Sequence, residues 1–219
     1  MNELAPAVAD QIKLIRLEPK KPLLLCDADE VLLQFLRGVE MHLEDEGYYL
    51  DLKSFALSGN IKHASSHEAA SQDQVKALLS GFFGARMKDM SPVTGAADAL
   101  ASLAQDVQIV ILTNTPPKHR AARMDVLARH GMDYPLVANE GSKGGAAKAL
   151  AAQIDAPMAF IDDIPHNIDA VLASVRHAEG IHFVADERLR PLIPKATSAL
   201  HRVDEWHLAE PLIRDVLLG

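Results

Sequence analysis

Asp27 and Asp29 stand one residue apart at the end of an apolar run, Leu23–Cys26. Thr113 and Asn114 close a second run, Val107–Leu112, and Asp162 and Asp163 close a third, Met158–Ile161. Lys143 lies ahead of that third run in a Gly-Ser-Lys-Gly-Gly segment. If one fold gathers these residues, a single crevice holds four carboxylates, a hydroxyl and a lysine. Clustered carboxylates repel, and each has a raised pKa unless a cation sits among them. Hard oxygen donors suit Mg²⁺, which keeps several waters and is commonly shared with a substrate phosphate. A lysine and a hydroxyl across from the ion would hold the remaining phosphate oxygens. The set points to phosphoryl chemistry.

The elements that must position these residues follow from the same runs. Apolar stretches of four to six residues without alternation suit parallel strands covered on both faces. Further runs lie at Pro135–Ala138 and Ile181–Val184. Between them the spacing predicts helices. One follows Pro117 through Ala121, Met124, Leu127 and Ala128 to a stop at Gly131, one covers Gly144–Ile154, and one covers Pro165–Val175. Alternating strands and helices predict a doubly wound, Rossmann-like α/β parallel sheet, whose sites lie at the carboxyl ends of the strands.

About 80 residues separate the first two strands, far more than one crossover helix needs. Leu32, Leu36, Val39 and Leu43 form one helical face that Gly47 can end, and Ser71–Gln74 is a capping box ahead of Val75, Leu78, Leu79 and Phe82. A helix around Gly95–Ala104 leads back to the second strand. The expected division is an α/β core over 1–30 and 91–219 with a helical cap inserted over 31–90. The tail from Arg188 reads as helical or irregular, broken by Pro191 and Pro194.

In LLLCDADEVL, VILTN, the lysine of GSKGG and AFIDDIPHN, taken in that order, the chain resembles the haloacid dehalogenase superfamily. The motifs span the core, about two-thirds of the chain, and the insertion is placed like the helical cap of the class I subgroup. The resemblance implies that Asp27 is a nucleophile forming an aspartyl-phosphate. It implies that Asp29 is the general acid and base, and that Thr113 and the Asn114 N–H hold phosphoryl oxygens. Lys143 would neutralise nucleophile and phosphoryl group. Mg²⁺ would be held by Asp27, the Asp29 carbonyl and Asp163, with Asp162 a ligand or its support. Members that attack carbon lack the second aspartate, so Asp29 speaks for phosphate esters over haloacids. Glu30 stands where glycine is frequent, although relatives resembling 5′-nucleotidases carry Glu there too.

Several residues admit plainer readings. Thr113 can cap the following helix, as can Asp162-Asp163 or Asn167, and Asn167 can instead orient the lysine. Lys143 is preferred over Lys148 because it precedes a helix in a glycine-rich loop. Cys26 reads as strand packing. His63 and His67 have the spacing of a zinc pair but no third ligand in helical register, which favours solvent exposure. GSKGGAAK does not fit the P-loop pattern. In the cap, Arg37, His42, Lys53, Lys62, Arg86 and Lys88 are candidate substrate contacts.

Composition narrows the partners. With 22 basic and 30 acidic residues and 5% aromatics, a nucleic-acid polymer is disfavoured. No run is long enough to span a membrane. One cysteine excludes an internal disulfide, and the opening MNELAPAVADQIKLIRLEPKK lacks the order of a signal peptide. The expectation is a cytoplasmic monomer or homodimer acting on a small phosphorylated metabolite, nucleotide and sugar phosphates being the candidates. The rival readings are a phosphotransferase to an acceptor other than water and a non-catalytic protein that binds a phosphorylated ligand.

Overall fold

The computed structural model describes residues 4–199 and 201–219. Its centre is β1 (Leu23–Cys26), every residue of which is buried, as a strand with no polar alternation requires. β4 (Gln108–Thr113) and β6 (Met158–Asp162) flank it in parallel, with Leu25 opposite both Val110 and Phe160. β5 (Leu136–Ala138) lies beyond β4, and β7 (Ala178–Phe183) and β8 (His201–Val203) beyond β6. The six-stranded order is therefore β5-β4-β1-β6-β7-β8, parallel throughout.

Helices cover both faces. Leu23 and Leu25 point to a core shared with α1 (Pro6–Leu14), α6 (Gly144–Ala151) and α7 (Pro165–Ser174). Leu24 and Cys26 point to the opposite core, with α4 (Ala96–Leu103), α5 (Arg120–Arg129) and α8 (Trp206–Leu218). This is the expected doubly wound sheet. The chain passes from β1 to β4 on one side and reaches β6 on the other, so a crevice opens at the carboxyl end of β1.

The insertion after β1 contains α2 (Phe35–Asp45) and α3 (Gln72–Ala85), the latter opened by the expected Ser71–Gln74 capping box. Between them runs a short antiparallel pair, β2 (Tyr48–Leu50) and β3 (Ile61–His63), which the apolar pattern does not announce. The insertion is thus mainly helical. Leu32 precedes α2 and does not share its face. The outgoing and returning chains run side by side, where Gln34 N donates to Ser91 O at 2.9 Å and Val93 N to Leu32 O at 2.8 Å. The tail is irregular through Pro194, as expected, and then forms β8 and α8, which carries Pro211 within it. No helix among the described residues is long and apolar enough to cross a membrane.

Candidate active site

Asp27 continues the β1 ladder one residue past the strand, its N–H donating to Ile161 O at 2.9 Å. That register sets it beside Asp162 and Asp163 at the end of β6. All three are buried, and each offers a carboxylate oxygen within 4.8 Å of the others. Lys143 stands at the N-cap position of α6 and is also buried. Its Nζ lies 2.6 Å from Asp27 Oδ1 and 2.6 Å from Asp162 Oδ2. Gly144 makes this placement possible, because a Cβ there would stand 2.5 Å from Ser174 Oγ and 2.6 Å from Ala170 O. Asp162 is fixed from its other side: Ile164 N donates to Oδ1 at 2.8 Å, and Asn167 Nδ2 donates to Oδ1 at 3.1 Å. Asn167 therefore acts on Lys143 through Asp162 rather than capping α7, and Asp162 takes the free N–H ahead of that helix.

The electrostatics follow from burial. Desolvation, with repulsion from Asp162, outweighs Lys143 and pushes Asp27 up to about 6. Asp163 is driven well above the carboxylate range by burial and by the charges of Asp162 and Asp27. Burial alone would lower Lys143, but Asp162 and Asp27 more than reverse that and raise it. Three buried carboxylates beside one ammonium, which pairs with Asp27 and Asp162, leave an excess of negative charge. A divalent cation fits that deficit and that donor set.

Asp29 is arranged differently. Its carboxylate turns from the triad to Arg123 on α5, with NH1 2.7 Å from Oδ1 and NH2 donating to Oδ2 at 3.2 Å. It is not one of the three carboxylates that lie within 4.8 Å of one another. Burial raises its pKa and the Arg123 charge opposes the rise. Arg123 has no exposed surface, and sequence reasoning missed it. The apolar stripe drawn through Ala121, Met124, Leu127 and Ala128 leaves Arg123 on the outer face, whereas α5 buries Arg123, Val126 and Leu127.

Glu30 adopts a left-handed φ of 56°, the region where glycine is easiest. Its carboxylate explains the choice. Glu30 Oε1 accepts the Leu36 N–H at 2.6 Å, satisfying a free donor in the first turn of α2. Burial carries its pKa up to about 7 against that hydrogen bond.

At the end of β4, Asn114 lines the cleft while Thr113 is buried, its hydroxyl 3.2 Å from that of Thr115. Asn139 ties this turn to the lysine loop, donating to Asn114 Oδ1 at 2.8 Å and to Gly141 O at 3.1 Å. No motif signalled it. Lys148 is exposed on α6, which leaves Lys143 as the lysine of the site. None of the six cap candidates lines the cleft beside Asp27. Arg37 faces a neighbouring cleft with Asp186 and Trp206, and His42 is buried against Phe82. Lys53 and Lys62 pair with Asp51, and Arg86 pairs with Asp45. Lys88 lies on another surface hollow with Arg129. His63 lies in β3 and His67 in an exposed turn, so they share no helix. Cys26 is a buried strand residue.

No protein-family model and no curated protein matches the chain. Solved structures do. A HAD family hydrolase from Deinococcus radiodurans, solved with bound phosphate and sodium, superposes with a TM-score of 0.61 at 17% identity over 90% of this chain and 96% of its own. A conserved haloacid dehalogenase-like protein from Agrobacterium tumefaciens gives 0.61 at 12% identity over 88% and 97%. A haloacid dehalogenase-like hydrolase from Streptococcus pneumoniae gives 0.58 at 11% over 89% and 98%. At these identities the likeness is one of architecture: the chain has the fold of the haloacid dehalogenase-like hydrolases.

Proposed function

We propose that the chain is a Mg²⁺-dependent hydrolase of small phosphomonoesters, a phosphatase of the haloacid dehalogenase superfamily in which residues 31–90 serve as a class I helical cap. One observation carries the reading. Asp27, Asp162 and Asp163 converge on one another, with Lys143 paired to the first two, and Asp29 stands apart from them with its own cation. Carboxylates with separate environments take separate roles.

In this reading a carboxylate oxygen of Asp27 attacks phosphorus as the ester oxygen leaves. Asp29 gives that oxygen a proton. In the second half Asp29 takes a proton from water, whose oxygen attacks phosphorus, releasing phosphate and restoring the Asp27 carboxylate. Lys143 keeps Asp27 oriented and offsets charge on the phosphoryl oxygens, which the Asn114 N–H also meets, with Thr113 behind it. Asp27, Asp163 and the Asp29 carbonyl would hold Mg²⁺, with Asp162 in support. When bound, the ion would shield nucleophile from phosphate.

The test is release of inorganic phosphate from a panel of phosphomonoesters, with Mg²⁺ and with chelator, for wild type and Asp27→Asn. Metal-dependent release that disappears in the variant is expected. Phosphate appearing on added alcohols instead of in solution would identify a transferase. Binding of esters with no turnover by folded protein would identify a ligand-binding role.

A further inference from the structure

The cleft that ends at Asp27 has a second wall of opposite character. Phe35 and Leu36 of α2, Phe55 and Leu57 of the β2–β3 connection, Ile164 and Leu189 enclose a space of about 370 Å³ above the carboxylates. Among the described residues Lys143 is the single cation lining it, and that ammonium is held by Asp27 and Asp162.

The wall is built into the fold. Leu36 and Leu189 belong to a buried cluster with Val184 and Ile193, and Phe55 and Leu57 pack on it. Phe35 is set edge-on to Phe82, with ring centroids 5.4 Å apart. The β2–β3 connection is wound around Asn60, which is buried. Its Nδ2 donates to Ser54 O at 2.6 Å and to Ala56 O at 2.7 Å, and its Oδ1 accepts from Lys53 N at 3.2 Å. A buried amide bonded to the backbone of its own loop fixes the shape of that loop. Phe55 and Leu57 are presented to the cleft by this arrangement.

We propose that the site selects phosphate monoesters of uncharged alcohols bearing an apolar face, and rejects esters carrying a second phosphate or a carboxylate. This rests on the phosphomonoester reading for one end of the ligand and supplies the other end. A second anion would be desolvated against phenylalanine and leucine, above a carboxylate floor, with no cation to meet it. An aliphatic chain or the face of a ring gains by leaving water. Nucleoside monophosphates fit through their bases, and sugar bisphosphates do not fit.

The experiment measures binding of n-alkylphosphonates, methyl to hexyl, in the presence of Mg²⁺, beside turnover of the matching alkyl phosphates. The head group is constant along the series, so the wall alone sets the trend. Affinity should rise about two- to fourfold per methylene until the space fills, and a terminal carboxylate should reverse the gain. Phe55→Ser and Leu57→Ser should each flatten the hexyl-to-methyl ratio, which is internal to each variant and so independent of the folded fraction. A flat series in wild type, or preference for the ligand with the terminal carboxylate, overturns the proposal, and with turnover intact it leaves the hydrolase reading standing. A rising series without turnover keeps the proposal and removes the hydrolase reading.

Discussion

A guanidinium with no exposed surface must be neutralised where it sits, and for Arg123 the neutralising group is Asp29. One hydrogen bond from NH2 and the ion pair of NH1 with Oδ1 hold that carboxylate off the triad. In the proposed mechanism Asp29, as proton donor, matters most when the leaving alcohol is basic. Arg123→Lys keeps the charge and loses the planar guanidinium that spans Asp29 and Met90. It should lower kcat on alkyl phosphates by about tenfold or more, while an aryl phosphate, whose leaving group departs without a proton, changes far less. Asp29→Asn should show the same asymmetry at roughly 10²-fold or beyond. Equal losses on both esters in the lysine variant would reduce Arg123 to a packing role. Lys143 makes a different prediction. Lys143→Met leaves Asp27 and Asp162 buried without their ammonium, which should cost about 3–5 kcal/mol in urea unfolding. Added Mg²⁺ should recover part of that stability and none of the turnover.

At the scale of elements, the site depends on how closely α6 approaches α7. A methyl group at Gly144 would run into the Ala170 carbonyl and the Ser174 hydroxyl. Gly144→Ala should therefore destabilise by about 1–3 kcal/mol and shift Lys143, so phosphate release falls further than the folded fraction measured by circular dichroism. The elements also explain what the sequence could and could not disclose. β1, β4 and β6 are unbroken apolar runs whose polar ends are the site, so strand and chemistry are written in adjacent residues. Asn167 and Asp162 belong to one short motif and are legible for the same reason. Arg123 is not, because α5 buries a charged residue in phase with Val126 and Leu127, and only the tertiary partner makes that tolerable. β2 and β3 are three residues each and are half-buried or less at most positions, too short for a period to show. Glu30 looks like a departure from glycine until the free N–H of Leu36 is seen beside it.

For the whole molecule, the concentration of buried carboxyl groups at one end of the sheet makes stability depend on pH and on metal together. Asp27 rises from 3.8 to about 6 and Glu30 from 4.5 to about 7, and Asp163 rises well beyond its ordinary value, burial being the leading cause in each. A carboxyl whose pKa is higher folded than unfolded favours the protonated form in the native state. Its contribution is complete below about pH 4 and is lost as pH climbs through the folded value. A tenfold difference in proton affinity between the folded and unfolded chain is worth about 1.4 kcal/mol. These carboxyls should therefore withdraw a few kcal/mol from the metal-free protein between about pH 4.5 and 7.5, opposed in part by His182, whose pKa burial lowers. On the proposed reading Mg²⁺ would bind the ionised carboxylates and compete with those protons. Its affinity should grow across the same interval, and at a hundredfold excess over Kd it should return about 2.7 kcal/mol. Urea unfolding at four or five pH values, with chelator and with Mg²⁺, separates the two curves. They should coincide near pH 4.5 and diverge above pH 6. Asp163→Asn should reduce the slope of the metal-free curve, leaving the share of Asp27 and Glu30, and should abolish the divergence if Asp163 is a ligand of the ion. Curves that run parallel at every pH would mean that the cation, if it binds, binds away from this cluster.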